Sequence, residues 1–146
     1  MIMRRRVSVI AAIGVLIIGA LLTVAAAQEK KEAVHVDPAK ATFKELAPGA
    51  SACVLWGDLD TGPYGAYTKF APAANFPLHT HTSDIRIVVL KGAYHYKPEN
   101  GVEQRISAGQ YIFIPGGDRH SSGGDAKGGA LFYQESTGKF DLNFVK

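Results

Sequence analysis

The stretch "PLHTHTSDIRIVVLKG", Pro77 to Gly92, sets two histidines one residue apart and then runs directly into an apolar, β-branched segment. "IRIVVL" has the composition of a strand. In a strand, residues i and i+2 fall on one face, so His79 and His81 point toward a common spot. Two imidazoles aimed at one spot predict a metal ion.

Working outward, the chain from about Phe43 is a series of short runs rich in Val, Ile, Tyr and Phe: "CVLWGD", "YGAYTKF", "IRIVVLK", "AYHYK", "QYIFIP", "ALFYQE" and "FDLNFV". Between them lie turn-forming clusters such as "DLDTGP", "KPENG", "PGGD" and "GGDAKGG". No segment carries a helical period and no internal repeat is visible. Short strands at this spacing predict a closed or double-sheet antiparallel β domain over residues 43–146. Residues 28–42 begin "QEKKEAVHVDPAK", polar and aperiodic, and read as a linker with a turn at Asp37-Pro38 and a solvated His35.

A second segment bears on the histidine pair. "GQYIFIPGGDRH" contains Gly109, five residues, Pro115, one residue, Gly117, two residues and His120. The glycines permit turns, the proline ends a strand, and His120 opens the next extended stretch. Together the two segments resemble the paired motifs of the cupin superfamily: a His-x-His, an apolar strand ending in glycine, then Gly-x5-Pro-x-Gly-x2-His. The likeness covers about 40 residues, and the β pattern around it fits the rest of one barrel. It implies an antiparallel jelly roll with a divalent metal ion in its mouth, held by His79, His81 and His120. The candidate ions are Fe, Zn, Mn, Ni or Cu; imidazole suits Zn, Fe, Cu and Ni, and neutral nitrogen donors leave coordination positions for water or substrate.

The chain also departs from that pattern. The usual first motif has a glutamate seven residues before its closing glycine, and counting back from Gly92 reaches Ile85; no glutamate occurs between Glu45 and Glu99. The opening glycine is Ala73, and the asparagine that often closes the second motif is Gly124. Some cupins, thiol dioxygenases among them, work with three histidines alone. Three readings follow. A neutral three-histidine site leaves the full charge on the ion and makes it a stronger Lewis acid. Alternatively, a bulge at "TSD" aims Asp84 inward as a fourth ligand. In the third reading the site has lost its metal.

If Ile85 faces inward, so do Ile87 and Val89, which gives an apolar wall with few groups for acid or base work. His95 alternates with Tyr94 and Tyr96, so either the histidine or the tyrosines face the cavity. Arg86 and Asp84 are expected to form a surface pair, and Arg119 to be a solvated loop residue. "LDTG" at Leu59 to Gly62 is better explained as a hairpin turn than as an aspartic-protease or calcium-binding signature, for which the second copy and the distal glutamate are absent.

The first 27 residues read as a signal peptide: "MIMRRR" is a basic lead, an apolar core follows, and Ala25 to Ala27 supply the small residues needed for cleavage before Gln28. The alternative is an uncleaved anchor, since Val7 to Ala27 is long enough to span a bilayer. Both put the domain outside the cytoplasm, periplasmic or secreted, and cleavage leaves no stable membrane association. Arg4, Arg5 and Arg6 supply the whole net charge of +3. The chain from Gln28 is neutral, and the absence of a basic stripe argues against nucleic acid. Cys53 is the single cysteine, which excludes an internal disulfide and reads as a small buried hydrophobe.

The resemblance implies a metal-dependent enzyme of oxygenase, lyase or isomerase type acting on a small chelating substrate. The alternative is a non-catalytic module that binds or senses a metal or small ligand. A homodimer is expected, because the second face of "IRIVVL" also needs cover.

Overall fold

The computed structural model describes residues 31–146. The expected signal peptide, 1–27, lies outside the described residues. Ten strands run in chain order: β1 (Lys44–Ala47), β2 (Ala50–Gly57), β3 (Tyr64–Phe70), β4 (Asn75–Thr80), β5 (Ile85–Pro98), β6 (Gln104–Ser107), β7 (Tyr111–Ile114), β8 (His120–Gly124), β9 (Ala130–Ser136) and β10 (Asn143–Phe144). Every pairing is antiparallel, and no helix occurs among the described residues. The all-β jelly-roll expectation holds.

The two layers share one strand. The first half of β5, from Ile85, pairs with β9 and β7, in a sheet ordered β1-β2-β3-β9-β5-β7. Its second half, from Ala93, pairs with β6 and β8, in a sheet ordered β6-β5-β8-β4-β10. "IRIVVLK" and "AYHYK" are therefore one strand, and Gly92 between them is a corner. The register slips between Val89 and Lys91, and Gly92 has φ 72°. A Cβ there would sit 2.2 Å from the Gly129 carbonyl oxygen, so only glycine lets the sheet fold over at this point.

Period-2 alternation along β5 and β9 sends Ile85, Ile87, Val89 and Phe132 into the space between the layers, with Tyr94, Ile106 and Ile114. Phe70 joins them, 4.6 Å from Phe76, 5.6 Å from Tyr94 and 5.0 Å from Phe132 between ring centroids. Burial of each such side chain stabilises the fold by about 1.5–3 kcal/mol. The opposite face of the first sheet leaves Val88, Leu90, Tyr111 and Phe113 exposed. On that side Trp56 Nε1–H donates to the Tyr133 hydroxyl at 3.1 Å, and Tyr133 donates to Glu135 at 2.9 Å. Cys53 is half-buried opposite Tyr67, more open than a core position. "LDTG" is a hairpin turn, in which Gly62 N–H donates to the Asp58 carbonyl at 3.1 Å and Asp60 N–H to the Asp58 carboxylate at 2.8 Å.

Candidate metal centre

His79 lies near the end of β4, His81 just beyond it, and His120 opens β8. In the β4–β8 ladder His79 and His120 are direct partners. All three are buried, exposing 1 %, 7 % and 0 % of their surface. A ligand nitrogen from each lies within 4.8 Å of the others. The ring centroids are 5.0 Å apart for His79 and His81, 4.4 Å for His79 and His120, and 5.4 Å for His81 and His120.

Each ring is oriented by its Nδ1. His79 donates to the Pro77 carbonyl at 2.6 Å, His81 to the Asp141 carbonyl at 2.5 Å, and His120 to the Asp118 carbonyl at 3.1 Å. A carbonyl can only accept, so Nδ1 carries the proton and Nε2 the lone pair in all three. Burial pushes His79 down to about 4, against the pull of the Pro77 carbonyl and with smaller repulsions from His120 and His81. Burial is also the main cause of the lowered values of His81 and His120. The rings are neutral at pH 7. His120 Nε2 is buried and has no hydrogen-bond partner, an expensive condition for a polar atom in the interior. A divalent ion would relieve it, and three neutral imidazoles with their outer nitrogens already anchored are a donor set suited to one.

The two motifs are stitched together at their loops. Gly117 N–H donates to the His81 carbonyl at 2.8 Å, and Gly116 N–H donates to the Asp84 carboxylate at 2.9 Å. Gly116 is required by close approach, because a Cβ would lie 2.5 Å from the Thr82 carbonyl oxygen. Asp84 thus stands outside the histidine group and holds the loop leading to His120. β5 begins immediately after it at Ile85, which is 4 % exposed and faces inward. The expected Asp84–Arg86 pair does not form. The Arg86 guanidinium lies 5.1 Å from the Phe113 ring centroid.

The family model described as the ChrR cupin-like domain matches residues 31–138. The chain belongs to the ChrR cupin-like family. Solved structures share its fold. The polyketide cyclase RemF from Streptomyces resistomycificus superposes with a TM-score of 0.64, with 18% identity over 79% of this chain and 88% of that one. KdgF from Halomonas sp. gives 0.60, with 19% identity over 75% and 97% of the two chains. The DMSP lyase DddQ from Ruegeria pomeroyi gives 0.59, with 15% identity over 73% and 62%. No curated protein matches the chain.

Within this cupin a cavity of about 70 Å³ opens beside His79 and His81, room for a few waters or a ligand of few heavy atoms. Ile85, Ile87, Phe76 and Ile114 make its apolar wall, as the alternation predicts for the first two; Val89 lies deeper in the core. The wall is not wholly apolar. Thr68 from β3, Ser122 from β8 and Gln134 from β9 also line it. Gln134 is itself held by a hydrogen bond from its amide to the buried Tyr64 hydroxyl, a phenol that burial pushes up to about 12. The inward parity of "YGAYTKF" and "ALFYQES" carried the signal for Thr68 and Gln134, but only the sheet order brings those strands to the histidines.

Of the three residues on the Tyr94 strand, the tyrosines face inward. Tyr94 lines the cavity, and Tyr96 lies against His120 with 5.2 Å between centroids while its hydroxyl donates to Asp118 at 2.7 Å. His95 points away and bonds Glu103 at 2.8 Å. Arg119 is tied to Glu99 by two bonds of 2.6 Å. His35 is exposed, in the stretch before β1. The residues that sequence reasoning missed are Asp118, which lies inside "GQYIFIPGGDRH" but acts through its backbone carbonyl, Asp141, which carries no local motif, and Gln134, whose inward parity gains its meaning only from the sheet order.

Proposed function

We propose that this cupin holds a divalent metal ion on Nε2 of His79, His81 and His120 and acts on a small substrate as a metal-dependent enzyme of oxygenase, lyase or isomerase type. The observation that supports this reading is the matched orientation of three buried rings, each with Nδ1 on a backbone carbonyl and Nε2 free. When bound, the ion supplies Lewis acidity and open positions for a substrate's oxygen donors. Ile85, Ile87 and Phe76 exclude water from that point, and Thr68, Ser122 and Gln134 offer hydrogen bonds that orient a polar group. Two fold neighbours, named as a polyketide cyclase and a DMSP lyase, are in keeping with chemistry in such a cavity.

A second reading, a non-catalytic module that sequesters or senses a metal, is favoured by the near-complete burial of the histidines and the small cavity. Elemental analysis after refolding with Fe, Mn, Ni, Cu or Zn, followed by oxygen-uptake and turnover screening, separates the two. Turnover supports the enzyme. Tight, stoichiometric zinc or copper with no turnover supports the module, and no bound metal refutes both. We further propose export to the periplasm or medium with cleavage before Gln28, which rests on the N-terminal sequence. Intact-mass measurement of extracytoplasmic protein tests it, and a full-length membrane-bound species refutes it.

A further inference from the structure

His79 and His120 are anchored locally, each to the carbonyl two residues earlier in its own segment, Pro77 and Asp118. His81 is different. Its Nδ1–H reaches the carbonyl of Asp141, sixty positions along the chain. Asp141 belongs to a segment beyond residue 138, where the family match ends. That segment crosses the site as a strap. Phe140 N–H donates to the Leu59 carbonyl at 2.8 Å, β10 pairs Asn143 with Thr80 and Phe144 with His79, and Val145 N–H donates to the Leu78 carbonyl at 2.9 Å.

The Asp141 carboxylate fixes the middle of the strap to the residue that follows His81. Thr82 N–H donates to Oδ1 at 2.8 Å and the Thr82 hydroxyl donates to Oδ2. The same segment covers the rings. Phe140 lies 5.8 Å from His81 and Phe144 6.3 Å from His79 between centroids, and Phe140 and Leu142 form part of the cavity wall. β10 itself is only two residues long and exposed, the kind of element that opens locally without global unfolding.

We infer that this strap governs the site: Asp141 is a positioning residue that holds the His81 ring through its carbonyl, and Phe140 and Leu142 limit entry to small, partly apolar molecules. The inference rests on the metal-centre reading above. Because the Asp141 carboxylate ties the strap down beside the carbonyl that orients His81, a strap that lifts at Asp141 also loosens that ligand. A ligand entering past Phe140 therefore meets a site whose third imidazole is re-seated as the strap closes.

The test uses the full-length chain with cobalt(II) as the probe metal and two readouts. One is the rate at which EDTA extracts the cobalt. The other, on metal-free protein, is the nitrogen-15 signature of the His81 tautomer. Asp141→Ala should speed extraction at least tenfold and abolish the fixed Nδ1–H signature of His81, while His79 and His120 keep theirs. Asp141→Asn, whose amide oxygen still accepts from Thr82 N–H, should restore both to near the wild-type values. Phe140→Ala should speed extraction yet leave the tautomer fixed. If Asp141→Ala does not fold, Thr82→Val removes only the hydroxyl bond and should give a smaller change in the same direction. Wild-type rates and tautomer in the folded Asp141 or Thr82 variant overturn the inference. A wild-type chain that takes up no cobalt refutes the metal centre instead, and the tautomer signature in metal-free protein still decides whether the strap holds His81.

Discussion

The amide of Gly116 donates to the carboxylate of Asp84 across 2.9 Å, tying the end of one histidine segment to the loop that delivers the other. Asp84 sits where a fourth ligand would be sought from sequence, yet its oxygen is engaged in fixing the approach to His120. Asp84→Ala should therefore cost about 1–2 kcal/mol of stability, the usual result of leaving a hydrogen-bonding group without its charged partner. Metal affinity should fall by less than about tenfold. Urea unfolding and metal titration check the two halves, and a loss of affinity beyond about a hundredfold would return Asp84 to the ligand set.

Replacement of His79, His81 or His120 by Ala should each weaken metal binding by more than the roughly 10–100-fold that follows loss of an outer partner. His35→Ala should have no effect, since that ring is exposed in the stretch before β1. Competition with a chromophoric chelator measures this. Stoichiometric metal in the triple alanine variant would refute the assignment.

Ile85→Glu tests the vacant carboxylate position. In metal-free protein it buries a charge in an apolar wall and should destabilise the fold by about 2 kcal/mol or more. Loaded with metal, the variant should regain much of that loss and bind the ion more tightly than wild type. Thermal unfolding with and without zinc distinguishes this from simple damage, in which metal gives the variant no greater stabilisation than it gives the wild type.

Acid should destabilise the metal-free domain. His79 is held at about 4 in the fold, below its ordinary 6.5, so the unfolded chain takes up its proton first as the pH falls. Its contribution is fully present above pH 6.5 and declines toward pH 4, by about 3 kcal/mol at most. His81 and His120 shift in the same direction and add to the slope. Urea unfolding between pH 4 and 8 measures this, and stability that rises on acidification in that range would contradict it.

Alternation in "IRIVVL" and the turn clusters between short apolar runs were enough to read the strands and an antiparallel β domain, while the jelly roll and the grouping of His120 with His79 and His81 came from the resemblance to the paired cupin motifs. The local code stopped at contacts made by backbone or across sheets. Gly92 reads as a strand end but is a corner, because its positive φ and its contact with Gly129 depend on β9. Gln134 and Thr68 look like ordinary inward strand residues until the order β3-β9-β5 places them beside the cavity. Asp141 has no motif at all, since its carbonyl holds His81 and any residue supplies a carbonyl.

A strand that belongs to both layers also shapes how the domain comes apart. Among the described residues, β5 is the one continuous run that is hydrogen-bonded on each side in both sheets, and its neighbours β8 and β9 are distant in sequence. Neither layer can melt while the other keeps it extended, so no half-folded species with one intact sheet should accumulate at equilibrium. Folding must in turn wait for long loops to close on β5 before either layer gains its centre, which places this chain among slow, highly cooperative folders.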